Sequence, residues 1–262
     1  MKRKIHVIMT VILCLLMLGP VCISAKTYEL GGTDITLELD DSAWYVFTRE
    51  NIKDNPELEE LGVSYDYIYS TLYNNHAYMD AIIFYDTTGT DYVEMFVRTA
   101  PVKDSKVANL SNYTEKDVKD LGEALLEEKG IEDSSISMYE DDYKFAKLEY
   151  IDPTLDFNMC EFVTIVNGST YVLTFQSTSP FTDEAYDEIE DIVDSVEFDV
   201  DPTLKEELKE ERKESESNIW KNAVIGGIIG GAAGGIGGLI TKKLKGKKKE
   251  NTDSENSDTT AE

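Results

Sequence analysis

Between residues 26 and 198 the hydrophobic pattern switches repeatedly between period two and period 3.6. Thr33–Leu39 (TDITLEL) alternates apolar and polar positions, as a half-buried strand does, and Trp44–Thr48 (WYVFT) predicts a second strand. Asn55-Pro56-Glu57 opens a short helix that Gly62 closes, with asparagine as cap and proline in the first turn. Ser64 caps a further helix running to about Asn75. Ala77–Asp86 and Tyr92–Thr99 then predict a hairpin around Thr87-Thr88-Gly89-Thr90. Thr114 caps a helix over Glu115–Lys129, with Val118, Leu121 and Leu125 on one face and Gly130 as terminator. Ile136–Tyr139, Tyr143–Ile151, Met159–Val166 and Ser169–Ser177 read as strands, the last two joined by the two-residue turn Asn167-Gly168. Asp183–Asp194 predicts a last helix that turns Ala185, Tyr186, Ile189, Ile192 and Val193 inward and carboxylates outward, before a short strand at Val196–Phe198. The order predicts an α/β domain, with helices packed around a mainly antiparallel sheet.

The pattern changes at both ends. MKRK, an apolar run from Ile5 to Leu18 and small residues at Ser24-Ala25 have the three-part form of a secretory signal, with cleavage expected after Ala25. Near the other end, Ala223–Thr241 carries no charge and eight glycines. As a helix it reaches about 28 Å, close to the hydrocarbon thickness of a bilayer. Trp220 before it and Lys242 and Lys243 after it suit the two membrane interfaces. Gly226, Gly230, Gly234 and Gly238 repeat every four residues, and Gly227, Gly231 and Gly235 form a second row beside them. Such rows let another backbone approach closely, which predicts helix–helix self-association and a homo-oligomer. The expected organisation is a signal over 1–25, an outer domain over 26–198, a charged stalk over 199–221, a glycine-rich transmembrane helix over 222–241, and a basic then acidic cytoplasmic tail over 242–262. The protein is thus expected in the cell membrane as a single-pass chain, its N-terminal domain outside and its tail inside.

Two stretches of the outer domain carry a resemblance. TDITLELDDSAWYVFTREN is similar to the amphipathic strand, bend and second strand that open the PsbP/Mog1-like domain family. VTIVNGSTYVLTFQS followed by TDEAYDEIEDIVDSVEF resembles that family's closing hairpin, helix and strand. The likeness covers roughly Thr27–Phe198, with Asp40 where the family usually has a strand-ending proline. It implies an α/β/α sandwich and a role in binding partners, and it brings no catalytic residues.

Charge narrows the classes of partner. Residues 26–220 hold 47 acidic and 15 basic residues, a net of −32. That surface repels phosphate backbones, so nucleic acid is excluded, whereas basic partners are favoured. Loss of the signal leaves one cysteine, Cys160, and one histidine, His76, too few for a Cys/His metal site or an internal disulfide. Cys160 lies within an apolar strand, where a buried, inert thiol is expected. The motifs of zinc proteases, thioredoxin-like redox centres, nucleophile elbows, phosphate loops and calcium loops are missing from the sequence. Asp141-Asp142 is expected in a turn. Neither a catalytic residue nor a cofactor is assigned.

Tyrosine is the remaining signal. Tyr65, Tyr69 and Tyr73 recur at i, i+4 and i+8 in SYDYIYSTLYNN, while Tyr67 points elsewhere. Tyrosine favours interfaces, so this helix is the candidate patch for a protein or ligand partner. The sequence therefore reads as a membrane-anchored binding module. Two other readings stay open: a surface hydrolase using a carboxylate pair, and a self-assembling envelope component.

Overall fold

A computed structural model describes residues 25–201 apart from Thr87 and residues 103–106. Apart from Ala25 at the end of the expected signal and residues 199–201 at the start of the expected stalk, those two segments, the tail, the glycine rows with Gly226, Gly230, Gly234 and Gly238, and the interface residues Trp220, Lys242 and Lys243 lie outside the described residues. Among the described residues, no helix is long and apolar enough to cross a membrane.

The described chain is α/β and its sheets are antiparallel. Strands β3 (Tyr45–Thr48), β4 (Ala77–Phe84), β5 (Tyr92–Pro101), β6 (Ser134–Glu140), β7 (Lys144–Ile151), β8 (Asn158–Val166) and β9 (Ser169–Ser177) form a seven-stranded sheet in the order β3-β4-β5-β9-β8-β7-β6. Strands β1 (Ala25–Glu29), β2 (Ile35–Asp40) and β10 (Glu197–Phe198) form a second sheet in the order β1-β2-β10. The helices are α1 (Pro56–Glu60), α2 (Tyr65–Asn74), α3 (Glu115–Lys129) and α4 (Asp183–Asp194).

Local chemistry explains the boundaries. The Asn55 side chain accepts from the Glu57 amide at the start of α1, and that of Ser64 from the Tyr67 amide at the start of α2. Thr114 and Asp117 form a reciprocal capping box on α3, and Gly130 ends it at φ 69° in the left-handed region. Asn167 and Gly168 both take positive φ, 51° and 72°, as a tight hairpin turn demands.

Burial follows each strand's place in the sheet. In β8 and β9, near the middle, all residues but the first are buried, because both faces are covered. One face packs against β1, β2, β10 and α4 through Leu37, Leu39, Phe162, Leu173, Phe175, Ile189 and Val193 among others. The other meets α3 over its β6–β8 half and α1 with α2 over its β3–β5 half. The first face thus differs from what the sequence pattern predicts. A three-stranded sheet shares it with α4, and β1 appears where the pattern predicts no strand. Tyr28 is the one buried residue of β1, so a single inward side chain is too weak a signal for period two.

Of the carboxylates expected to face solvent on α4, Asp183, Glu184, Asp187 and Asp191 are exposed, whereas Glu188, Glu190 and Asp194 tie the helix down. Trp44 Nε1 donates to Glu188 Oε1 at 2.7 Å, Tyr85 Oη to Glu188 Oε2 at 3.0 Å, and Lys147 Nζ to Glu190 Oε1 at 2.9 Å. Tyr139 Oη donates to Asp194 Oδ1 at 2.5 Å. Asp141 and Asp142 occupy the β6–β7 turn as expected.

Candidate functional site

Helix α2 carries different chemistry on its two sides. Ile68, Thr71 and Leu72 are buried against β4 and its neighbours, which fixes the rotation of the helix. Tyr65, Tyr69 and Tyr73 consequently point outward, each 41–42 % exposed. Their rings follow one another along the helix face. The Tyr65 and Tyr69 centroids are 5.6 Å apart and those of Tyr69 and Tyr73 are 4.3 Å apart, with interplanar angles near 30°. Tyr69 and Tyr73 are stacked, while Tyr65 is tilted against Tyr69.

Arg49 closes one end of the ladder. Its guanidinium lies 4.6 Å from the Tyr73 ring centroid and 3.9 Å from that of Tyr78, while Nε donates to the Ala77 carbonyl at 2.8 Å. The sequence pattern gives no reason to single out Arg49. It sits 24 positions before Tyr73 and reaches it only because β3 lies beside β4.

Beneath α2 and α3 lies a group of buried polar residues that no sequence motif marks. Asp80 on β4, Glu94 and Arg98 on β5, Glu161 on β8, and Thr174 and Gln176 on β9 are all buried on the helix-covered face. Arg98 Nη2 contacts Glu161 Oε1 at 3.3 Å and donates to Thr174 Oγ1 at 2.7 Å, and Thr174 Oγ1 lies 3.1 Å from Glu161 Oε1. Lys129, the last residue of α3, reaches Glu161 Oε2 at 2.5 Å and Tyr150 Oη at 2.8 Å. Gln176 Nε2 donates to Glu94 Oε2 at 2.7 Å. Burial alone would raise the Glu161 carboxyl, but the charges of Lys129 and Arg98 outweigh it and hold it below its ordinary range. Tyr67 faces this group, and its hydroxyl is raised first by burial and then by Glu94 and Asp80.

These residues form a polar seam between two apolar clusters, one under α3 and one under α1 and α2. A sequence signal for it exists. Asp80 and Glu94 occupy the same strand parity as the inward Ile82 and Phe96, and Glu161 shares the parity of Val163 and Ile165. The seam is closed to solvent: Asp80 and Glu94 are both 0 % exposed. As placed, they are out of reach of a polymeric substrate.

The other singled-out residues fall as follows. Cys160 is buried and forms no disulfide among the described residues, its thiol raised chiefly by burial. His76 is exposed, just after α2, with φ 53°. The sequence holds three Asn-x-Ser/Thr glycan-acceptor patterns, at Asn109, Asn112 and Asn167. Asn109 is buried and caps a short 3₁₀ turn by accepting from the Ser111 amide at 3.1 Å. Asn167 donates to Asp34 Oδ2 and the Asp199 carbonyl and accepts from the Asp201 amide. Among the described residues no three His, Cys, Asp or Glu side chains converge as metal ligands. No protein-family model matches the chain, and no curated protein matches it significantly.

Proposed function

We propose that the chain is a single-pass membrane-anchored surface protein whose outer domain binds a protein partner through the tyrosine ladder of α2. The observation that carries this reading is the exposure of three tyrosines in contact in a row, held at one end by Arg49. Adjoining exposed aromatic rings make a contiguous patch of the kind that partners cover, and tyrosine supplies both apolar area and a hydrogen-bonding tip. Stacking of Tyr69 on Tyr73, and of Arg49 on the Tyr73 ring, takes up part of the ring faces. A partner therefore meets edges and hydroxyls as well as faces, which favours a protein surface over a sugar ring lying flat on an aromatic face. The acidic surroundings favour a basic partner.

The expected signal and the uncharged run over 222–241 support the membrane anchor, and the PsbP/Mog1-like resemblance with its α/β/α sandwich belongs to the same proposal. The glycine rows support self-association within the membrane. Replacing Gly230 and Gly234 with leucine should abolish cross-linked oligomers, while Ile228→Leu with Ile236→Leu should leave them intact.

The ladder is tested by comparing the full chain with a Tyr65→Ser, Tyr69→Ser, Tyr73→Ser variant, both cross-linked in intact membranes. The parent should retain a basic partner that the variant loses while its circular dichroism is unchanged. An identical set of cross-linked partners would overturn this use of α2. Protease added outside should remove the domain and spare a fragment containing Lys242–Glu262; protection of the domain would reverse the topology.

A further inference from the structure

Strand β6 ends the seven-stranded sheet, with β7 on one side and, among the described residues, no strand on the other. An antiparallel edge strand turns alternate N–H and C=O groups outward, a template for another strand. Soluble proteins usually blunt such an edge by charge, proline or short length. Strand β6 has none of these over Ser134–Tyr139 (SSISMY), and Glu140 arrives only at its last position. The opposite edge strand, β3, is by contrast four residues long.

A groove of about 360 Å³ runs beside the start of β6, beneath the C-terminal half of α3. Leu126, Ile131 and Ile136 supply apolar surface, and Glu123, Glu127 and Glu132 supply carboxylates. Across the strand, on its other face, Tyr139 is bonded to Asp194, with Glu190 and Asp141 close by. Carboxylates thus flank the free edge on both faces. By register, Ser134 pairs with Tyr150 and Tyr150 with Met159 at the start of β8. The groove therefore lies at the opposite end of the sheet from Asn167, where the Asp201 amide is held.

We propose that β6 docks an extended lysine- or arginine-bearing segment of another protein, which adds to the sheet as an eighth strand. Backbone hydrogen bonds hold the segment to the edge. Its side chains on one parity lay their aliphatic stems over Leu126, Ile131 and Ile136 and deliver their charges to Glu123, Glu127 and Glu132. Side chains of the other parity meet Asp194 and its neighbours. A second copy of this chain is a poor occupant, because edge-to-edge pairing would bring like carboxylates together. Residues 25–201 already hold 41 acidic against 11 basic residues, a net of −30. The surface is separate from the tyrosine ladder, since α2 covers the β3–β5 half of the sheet.

The test uses the full chain in an uncharged detergent and a fluorescent peptide of alternating lysine and valine. Fluorescence anisotropy should show binding that salt weakens. The same peptide N-methylated at alternate residues, which blocks its hydrogen-bonding edge, should bind at least about tenfold more weakly. The double variant Glu123→Lys with Glu132→Lys should weaken the plain peptide by about tenfold or more, and Tyr69→Ala should leave its affinity unchanged. Equal binding of the N-methylated peptide would reduce the interaction to surface charge and overturn the proposal. So would no binding of the plain peptide, or its indifference to the glutamate reversals. Weakening by Tyr69→Ala would assign the peptide to the ladder instead. A tenfold gain in affinity on removing residues 242–262 would assign the edge to the chain's own basic run. A dimer that the peptide dissociates would assign it to a second copy. Each of these three results also overturns the proposal.

Discussion

The two faces of the seven-stranded sheet are built from the same alternating strands, yet they are stabilised differently. The face toward β2 and α4 is apolar from strand to strand, with Met79, Ala81, Val93, Met95, Val97, Phe145, Phe162, Leu173 and Phe175 in one continuous cluster. The face toward α1, α2 and α3 is divided by the seam of Asp80, Glu94, Arg98, Glu161, Thr174 and Gln176 into two separate clusters. An apolar surface accepts a covering element at many offsets, because burial is non-directional. Ion pairs and hydrogen bonds are satisfied at few. On the divided face, Lys129 binds Glu161 only when the last turn of α3 lies over β8. The seam therefore favours one placement of α3 from within the core, whereas the opposite face relies on shape and, at its margin, on the tyrosine, tryptophan and Lys147 bonds to α4. Buried ion pairs contribute little net stability compared with well-packed apolar groups, but removing one partner is costly.

Breaking the seam should give the largest effect. Glu161→Leu leaves Arg98 and Lys129 without their shared carboxylate, and a loss of about 3–5 kcal/mol is expected in denaturant unfolding. Leu37→Ala on the apolar face should cost about 2–5 kcal/mol, through transfer and cavity alone. The two variants are distinguished by acid. The Glu161 carboxyl titrates lower in the folded chain than its ordinary value of 4.5, so the folded state binds fewer protons there than the unfolded state. Its contribution is complete above that value and is lost as pH falls through the lower folded value. Stability measured from pH 6 downward should consequently fall less steeply in Glu161→Leu than in Leu37→Ala. Equal slopes would remove Glu161 from the account of acid sensitivity.

The next effect concerns how closely α3 approaches the divided face. A Cβ on Gly122 would lie 2.8 Å from Ile136 Cγ2 and 2.8 Å from Leu148 Cδ2. Gly122→Ala should therefore lower stability by about 1–3 kcal/mol despite the better helix propensity of alanine. A gain in melting temperature would show that α3 can lift from the sheet without cost.

Smaller effects are expected at α2. Tyr69→Ala removes two ring contacts from the exposed ladder and should cost about 0.5–1.5 kcal/mol. A larger loss would mean that the ladder is part of the fold's support and not chiefly a docking surface. His76 occupies the left-handed region at φ 53°, so His76→Gly should stabilise the chain by up to about 1 kcal/mol. A destabilised glycine variant would point to a bonding role for the imidazole that outweighs the backbone strain.

Most of the described secondary structure was legible because the local signals agree. Ser64, Thr114 and Gly130 mark helix ends through bonds or dihedrals that involve only neighbouring residues. The Asn167-Gly168 turn is equally local. The same holds for the outward direction of Tyr65, Tyr69 and Tyr73, which follows from helical spacing opposite Ile68 and Leu72. β1 was not legible, because it has one buried residue and owes its strand conformation to pairing with β2. Nor was the bonding of the α4 carboxylates, since Glu188 meets Trp44 across 144 residues of sequence.

The sequence by itself determined periodicity, caps, turns, acidity and the row of tyrosines, all of which depend on residues a few positions apart. Only the tertiary structure decided which charged residues within apolar strands meet, that Arg49 stacks on Tyr73, and that β6 is an edge strand among the described residues. Strand order brings together residues far apart in the chain, and neither hydrophobic period nor composition carries that order. Arg98, Glu161 and Lys129 each look like isolated charges in the sequence; pairing of β5, β9 and β8 beneath the end of α3 makes them one ion cluster.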